Sequence, residues 1–265
     1  FELGGHSLLA MKIIISLREK LGADVPVHHL FETPTIADIA SFIDNQRRNA
    51  TATSPKIPHA PAGEPIPLSY SQLMLWGVDQ PGVPYNTPVA VRIAGPLNRH
   101  VLEQSITEIV RRHSILRATV VMQGGQPVHI ISPPPQVTLP IRDLRSLSKE
   151  EQEARALDHI VEVADTRLDL VAGPLFNPLL IQLGDEEHIL FVAIHHILFD
   201  GWSITIFLRE LAALYPTFLR GLPSPLHELT LQYTDFAYWQ RKRNMDEAQL
   251  NASEYWKKQL GDPLP

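Results

Sequence analysis

Apolar residues near the amino end of the chain recur at helical spacing. Over residues 7–21, Leu8, Met11 and Ile15 fall on one face of a helix, and further apolar residues lie on an adjacent line. Gly22 follows at the position where a helix C-cap is expected. The pattern therefore predicts a helix over 7–21.

A second helix is predicted a short distance further along the chain. Thr35 is a suitable N-cap with Asp38 at the third helical position, and the apolar face that includes Ile43 ends near Arg47. Residues 1–48 are therefore interpreted as a small all-α segment. Two main helices give too little core for a free domain of about fifty residues, so we expect an element before the first residue to be missing.

The next stretch is rich in proline. Residues 49–65 combine proline with Ala, Thr, Ser and Gly, a composition that suits neither a helix nor a central strand, and we interpret them as an interdomain linker. The pattern then becomes mixed. Val89, Val91 and Ile93 alternate as in a strand, and apolar residues at helical spacing follow Asn98, a suitable N-cap.

The middle of the chain predicts a helix followed by a hairpin. The helix is expected from 149 to about 165, and strands are expected over 179–183 and 188–195, joined by a turn at Gly184. Pro216 interrupts a later helical run and is expected either to kink that helix or to end it. Helices and strands therefore alternate after the linker.

Composition narrows the classes of function. With 44% apolar and 20% charged residues, the 265-residue chain can bury a core, which excludes a disordered or collagen-like protein. A net charge of -6 and the lack of a basic run argue against nucleic-acid binding. The chain has no cysteine, so disulfides, thiolate zinc sites and cysteine nucleophiles are excluded. Its apolar runs fall short of the roughly 20 residues that cross a bilayer, and we expect a soluble, cytoplasmic protein with no membrane partner.

Reactive side chains concentrate where the last predicted strand ends. His195 and His196 are followed by Asp200 and Gly201, at the start of a helical run. Successive residues of a strand face opposite sides, so adjacent histidines are poorly placed to share an ion, and we expect no metal. One ring can instead face a cleft as a neutral imidazole that takes a proton near pH 7. A buried histidine beside a capping aspartate explains the same residues.

A second candidate lies at the start of the first predicted helix. Gly4 and Gly5 allow a sharp turn that places Ser7 at the helix N-terminus, where unpaired N–H groups and the helix dipole favour an anion such as a phosphodiester. A plain N-cap explains Ser7 equally well, and the residues alone favour it because no base lies nearby in the sequence. The G-x-S-x-G motif of hydrolases is absent at this serine.

Taken together, the two motifs resemble those of nonribosomal peptide synthetases. Residues 1–48 resemble a peptidyl carrier protein that lacks its first helix, and two motifs carry the likeness: Leu3-Gly4-Gly5-His6-Ser7-Leu8-Leu9 and Phe31-Glu32-Thr33-Pro34-Thr35-Ile36. Residues 66–265 resemble the N-terminal half of a condensation domain, and residues 49–65 form the linker between the two.

Four motifs in the family's order carry the second likeness. They occupy residues 68–76, 112–117, 195–203 and 233–239. Three positions depart from the usual pattern: Ser71 stands where the family usually has Ala, Met74 where it has Arg, and Ser114 where it has Glu. The histidine motif is intact, and four ordered motifs behind a carrier motif are far more specific than any one of them.

The resemblance implies a role for each residue of the histidine motif. His196 would be the active-site imidazole, with His195 as its neighbour, and would either accept the proton of the incoming amine or position that amine. Asp200 would be structural and paired with Arg117 of the second motif. Gly201 would let the backbone pass close to the reacting carbonyl, where its N–H helps to stabilise developing oxyanion charge.

The resemblance also implies a cofactor, a fold and partners. Ser7 would carry a covalent 4'-phosphopantetheine arm, added from coenzyme A by a phosphopantetheinyl transferase, whose thiol holds the growing chain as a thioester. The expected fold is α+β: an incomplete all-α carrier bundle, a Pro-rich linker and one α/β lobe of the chloramphenicol-acetyltransferase-like condensation fold. Because the second lobe would be missing, this piece alone is expected to be inactive. Its partners would be an adenylation domain, a downstream carrier domain and aminoacyl or peptidyl thioesters.

The sequence also bears on which subtype of condensation domain this is and on alternative functions. The pair His195-His196 argues against a heterocyclisation domain, and Trp202 after the Asp-Gly pair argues against an epimerisation domain. With no epimerisation domain after the carrier, the donor is expected to be an L-residue. Two alternatives from other classes are a coenzyme-A-dependent acyltransferase of the His-x-x-x-Asp type and a non-catalytic segment that docks carrier proteins.

Overall fold

The chain divides into two compact units. A computed structural model describes residues 7–23, 25–33, 35–48, 57–79, 83–242 and 247–261. The first unit is Phe1–Lys56 and the second is Ile57–Pro265. No helix in the described part of the chain combines the length and the hydropathy needed to span a bilayer.

The first unit is helical. Its helices are α1 (Ser7–Leu21), α2 (Val27–Glu32) and α3 (Ile36–Arg48). The predicted ends of α1 and α3 are confirmed: Gly22 has φ of 64° and donates its N–H to the carbonyl of Arg18 at 3.0 Å, and Thr35 Oγ1 accepts the N–H of Asp38 at 3.2 Å. The short helix α2 was not predicted. Val27, Leu30 and Phe31 do lie at helical spacing, but six residues make fewer than two helical turns, which is too short a window for apolar periodicity to identify a helix.

The second unit contains two sheets. Their strands are β1 (Ile66–Pro67), β2 (Asn86–Ala94), β3 (Ala118–Gln123), β4 (Gln126–Ile131), β5 (Ile141–Asp143), β6 (Phe176–Gln182) and β7 (Glu187–His195). One sheet has the order β1-β4-β3 and the other has the order β2-β7-β6-β5. β6 and β7 form the predicted antiparallel hairpin, whereas β5 pairs with β6 in the parallel direction.

The structure describes six α-helices in the second unit. They are α4 (Tyr70–Val78), α5 (Arg99–Arg112), α6 (Lys149–Ala164), α7 (Gly201–Leu219), α8 (Tyr233–Lys242) and α9 (Glu247–Leu260), with a 3₁₀ helix at Ser114–Arg117. The Asn98 side chain accepts the N–H of Val101 and caps α5 as predicted. Pro216 lies inside α7 and does not end it. Buried residues on either side of this proline, Leu214 and Thr217, hold the last turn in place despite the lost backbone hydrogen bond.

The central strand β7 is buried on both faces. Its alternate residues Leu190, Val192 and Ile194 belong to an apolar cluster shared with α5 and α7. Phe191 and its neighbours on the other face belong to a second cluster, shared with α6. Because successive side chains of a strand face opposite sides, this double burial explains why the sequence reads as a continuous apolar run. The last residue of β7 is one of the two candidate histidines.

Part of the predicted linker lies within the second unit. The N–H of Ala60 donates to Asp235 Oδ1 at 2.8 Å, and Glu64 accepts from the Tyr238 hydroxyl at 2.8 Å. Directly after this segment, β1 pairs with β4 at the edge of the smaller sheet. Residues 57–65 are therefore anchored, and the domain limits 1–48, 49–65 and 66–265 stay a prediction.

Candidate active site around His196

His196 is the first residue after β7 and is exposed. Its backbone N–H donates to the carbonyl of Tyr85 at 2.7 Å. Its ring Nδ1 lies 2.8 Å from the carbonyl oxygen of Phe199 and 3.2 Å from Thr87 Oγ1. A carbonyl oxygen only accepts hydrogen bonds, so Nδ1 carries the proton in the neutral ring. The other nitrogen, Nε2, then has a lone pair that can take up a proton or accept a hydrogen bond from an N–H group.

His195 has different surroundings, because it is 1% exposed. Its Nδ1 accepts the N–H of Ile197 at 3.1 Å, and its Nε2 lies 3.7 Å from Asp79 Oδ1. Burial lowers the pKa of His195, and the nearby Asp79 carboxylate partly opposes that shift. The second oxygen of Asp79 accepts from the Arg167 guanidinium at 3.0 Å. Because Nδ1 accepts the Ile197 N–H, this nitrogen carries no proton, and the buried ring is neutral in this arrangement.

Asp200 and Gly201 connect the histidine turn to α7. Asp200 is the N-cap of α7: its Oδ1 accepts the N–H of Ser203 at 2.8 Å and the hydroxyl of the same residue at 2.6 Å. Gly201 is the first residue of the helix. The structure thus brings His195, His196, Asp200 and Gly201 together in one short turn.

The predicted ion pair between Asp200 and Arg117 is wrong. The Arg117 guanidinium donates instead to the backbone carbonyls of Val110, Arg111 and Ser132. Burial, and to a smaller extent the charge of Arg111, lowers the pKa of Arg117. Each group is satisfied locally, Asp200 by the start of α7 and Arg117 by carbonyls next to its own 3₁₀ helix, so neither needs the other.

The sequence did not single out three residues that hold this turn. Gln72 Nε2 donates to the carbonyl of Ile197 at 2.9 Å, and Thr87 and Asp79 make the contacts described above. Gln72 lies within the first motif, and that membership was the one available signal. Nothing in the spacing of Asp79 or Thr87 marks either residue.

Clusters of metal-ligating side chains were sought among the residues that the structure describes. No group of three or more His, Asp or Glu side chains in the part of the chain that the structure describes could hold an ion. His195 is buried beside Asp79 whereas His196 is exposed beside Thr87, so the two rings do not face one common position.

Ser7 is the first residue of α1. The two glycines of its motif and His6 lie outside the described residues. The first turn of α1 contains no acidic residue, and its last turn contains Arg18 and Lys20. A helix N-terminus whose first turn carries no carboxylate suits a phosphodiester, because the orphan N–H groups and the helix dipole both favour negative charge there. The backbone at Ser7 therefore fits a phosphopantetheine arm.

Comparison with family models decides the assignment. Residues 63–265 match the model described as "Condensation domain", and residues 1–43 match that described as "Phosphopantetheine attachment site". The chain belongs to the condensation-domain family. Its amino-terminal part is a phosphopantetheine attachment site, whose cofactor is covalent 4'-phosphopantetheine.

Curated relatives are much longer than this chain. One of the linear gramicidin synthase proteins from Brevibacillus parabrevis is 38% identical over 268 residues, a match that covers 100% of this chain and 5% of that protein. Cyclosporin synthetase from Tolypocladium inflatum is 35% identical over 271 residues, covering 100% of this chain and 2% of that protein. The chain thus spans a small fraction of each relative, and both relatives match its carrier and condensation parts together.

Solved structures confirm the predicted fold class. The X-domain from teicoplanin biosynthesis superposes with a TM-score of 0.69 at 27% identity, covering 78% of this chain and 46% of that one. The first condensation domain of the CDA synthetase gives a TM-score of 0.66 at 22% identity, covering 76% and 52%. The second unit is therefore α/β structure of the condensation fold, and it follows a helical carrier segment.

Proposed function

We propose that this chain is the carrier and condensation part of a nonribosomal peptide synthetase. In this proposal Ser7 bears the phosphopantetheine arm, and the condensation unit joins a donor thioester to an acceptor amine beside His196. The observation that carries the proposal is the exposed His196 ring, whose Nδ1–H is held by the Phe199 carbonyl at 2.8 Å. The two family matches and the synthetase relatives support the same interpretation.

The tautomer of His196 suits amide formation. When bound, the arm supplies a thiol that holds the acyl group as a thioester. The amine nitrogen forms a bond to the thioester carbonyl carbon, and the C–S bond breaks. His196 Nε2 accepts a hydrogen bond from the amine, which orients it, and can take the proton that the departing thiolate finally receives. Because Nδ1–H stays on the Phe199 carbonyl, the lone pair stays on Nε2.

The start of α7 provides a donor for developing charge. The N–H groups in the first turn of a helix lack intrahelical partners. Asp200 uses the N–H of Ser203, so the Gly201 N–H is left as a candidate donor to the tetrahedral oxyanion. In this proposal Asp200 and Arg117 are structural. Asp200 shapes the turn, and the Arg117 guanidinium donates hydrogen bonds to backbone carbonyls near its own 3₁₀ helix.

The proposal names the partners of the complete synthetase. A phosphopantetheinyl transferase would load Ser7 from coenzyme A, an adenylation domain would supply the amino acid, and a downstream carrier domain would present the acceptor amine. The substrates would be aminoacyl or peptidyl thioesters, with an L-residue as donor. A cytoplasmic location stays a prediction.

Loading of the carrier can be tested by intact-mass measurement. A synthetase module that contains this chain, incubated with coenzyme A and a phosphopantetheinyl transferase, should gain one phosphopantetheine group. Ser7→Ala should abolish the gain, whereas Ser41→Ala, at an exposed serine of α3, should not. A gain that survives Ser7→Ala would place the arm on another residue.

Condensation can be tested in the same module. His196→Ala should leave carrier loading intact and reduce peptide formation at least about a hundredfold, within the range for loss of a general base or acid. The matched control is His100→Ala, at an exposed histidine of α5. Unchanged product formation in His196→Ala would favour a docking segment. Acyl transfer from free coenzyme A thioesters, without a loaded carrier, would favour the acyltransferase alternative.

A further inference from the structure

Helix α4 contacts the histidine turn from its buried side. Gln72 lies in the first turn of α4 and Asp79 is its C-cap residue. The two are seven residues apart, which is two helical turns, so their side chains lie on the same face of the helix. Gln72 contacts Ile197, the residue after His196, and Asp79 contacts His195, the residue before it. One helix thus holds both neighbours of the proposed active-site histidine.

The Gln72 contact has a defined direction. The side chain is 2% exposed, and its Oε1 accepts the backbone N–H of Ser69 at 3.0 Å. His129 Nε2 also lies 3.0 Å from this oxygen. Because Oε1 is committed to the Ser69 N–H, the amide nitrogen is the group that faces Ile197, and it donates to that carbonyl at 2.9 Å. Because the oxygen and the nitrogen of this buried amide are both hydrogen-bonded, the side chain has one favourable orientation.

The Asp79 contact joins two atoms that otherwise lack partners. Within the described residues, Asp79 Oδ1 and His195 Nε2 are both buried and have no hydrogen bond, and they face each other at 3.7 Å. His195 Nδ1 is occupied by the Ile197 N–H, so the proton of the neutral ring sits on Nε2 and is directed toward Asp79. Arg167 binds the other carboxylate oxygen at 3.0 Å and keeps Asp79 in place.

We propose that Gln72 and Asp79 are positioning residues that fix the turn on which His196 acts. The His196 ring is itself held through the Phe199 carbonyl, which lies two residues beyond the one that Gln72 holds. A shift of residues 195–197 therefore displaces Nε2, the atom that would meet the amine. The inference rests on the proposed function of His196, and it gives the first motif of the condensation unit a physical role.

Two near-isosteric substitutions test the inference in a complete, loaded module. Gln72→Met keeps the size of the side chain and removes its donor. Asp79→Asn keeps the shape but offers one acceptor to two donors, His195 and Arg167. Each should slow single-turnover amide formation by about tenfold or more at saturating acceptor carrier, with carrier loading and KM for the acceptor unchanged. Each should also move the His196 Cε1–H resonance in the NMR spectrum.

Two controls separate positioning from a loss of stability. Met74→Ala changes the exposed side of the same helix, at a side chain 73% exposed, and should alter neither readout. Ile181→Val removes one buried methyl group from the other face of the large sheet, so it should lower the melting temperature while leaving the His196 resonance in place. If Gln72→Met or Asp79→Asn fails to fold, Arg167→Gln provides a milder test, because that side chain is 38% exposed. It should shift both readouts in the same direction by a smaller amount.

The outcomes distinguish this inference from the proposed function. Wild-type rates and an unmoved His196 resonance in both α4 variants would overturn the inference, even if His196→Ala is inactive. An active His196→Ala would overturn the proposed function. A His196 resonance that still moves in the α4 variants would then show that α4 positions the ring for another purpose.

Discussion

The strand pair β2–β7 ends in two contrasting environments. At the end that carries His195, two of the polar side chains are buried: His195 is 1% exposed and Gln72 is 2% exposed. At the opposite end Glu187 binds two exposed cations, with Arg92 and Lys149 each 2.6 Å from its carboxylate. The side chains of these cations are 47% and 72% exposed. One end is thus a buried network of specific partners, and the other is an ion-pair network in water.

The difference between the two ends shows that buried polar groups hold side chains in a defined geometry more strictly than exposed ion pairs do. Burial is the largest cause of the lowered pKa of His195, whereas hydrogen bonds from Lys149 and Arg92 lower the pKa of Glu187. A buried polar group that loses its partner keeps the full cost of its desolvation, so it has few alternative arrangements. An exposed ion pair can be replaced by water and is screened by salt. We therefore expect large effects from changes at the buried end and small effects at the exposed end.

The largest expected effect comes from a buried apolar residue beside His195. Ile194 is 0% exposed, and Ile194→Ala should lower the free energy of unfolding by about 4 kcal/mol, through lost apolar burial and a residual cavity. The same substitution at Ile93, a half-buried residue near the opposite end of β2, should cost about 1 kcal/mol. Urea denaturation of both variants measures the difference. An equal loss of unfolding free energy in the two variants would contradict the contrast between the two ends of the strand pair.

A smaller effect, visible through pH, is expected at His129. Burial lowers the pKa of this histidine from 6.5 to about 4 in the folded state. Well above pH 6.5 neither state is protonated, and the contribution of this histidine to stability is fully present. As the pH falls below 6.5, the unfolded state binds a proton that the folded state does not, so stability declines and about 3 kcal/mol is lost by pH 4. Burial lowers the pKa of His188 and His195 too, so both add to the decline.

The measurement compares unfolding free energies at pH 7.5 and 4.5. His129→Gln keeps a donor toward Gln72 and should flatten the pH dependence. His100→Gln, at an exposed position of α5, should leave the pH dependence unchanged. If the His129 variant is as sensitive to acid as the wild-type protein, the burial of this ring is not the source of the decline.

Local signals predicted much of the fold and part of the site. The unbroken apolar run of β7 and the capping residues Thr35 and Asn98 each depend on near neighbours in sequence, and the structure confirms all three. The residues of the histidine turn are contiguous, so their proximity was also predictable. What spacing cannot supply is the choice of partner between distant segments.

Two results show this limit. The contact of Asp79 with both His195 and Arg167 joins three segments that only the tertiary fold brings together. The predicted pair of Asp200 with Arg117 failed for the opposite reason: both groups found partners within their own neighbourhood, where fewer residues must be ordered at once. Charge complementarity alone does not decide between a local partner and a distant one.

The smallest effect is expected from the ion-pair network at the exposed end. Arg92 donates to Glu187 at 2.6 Å and to Glu153 at 2.8 Å, and all three side chains are substantially exposed. Arg92→Ala should therefore lower the melting temperature by less than about 2 °C at moderate salt. The difference from wild type should shrink further in 1 M NaCl, because screening there acts over about 3 Å. Arg92→Lys, which keeps the charge but not the paired donors, provides the control. A larger fall that persists at high salt would mean that this end of the strand pair is as rigidly determined as the end that carries His195.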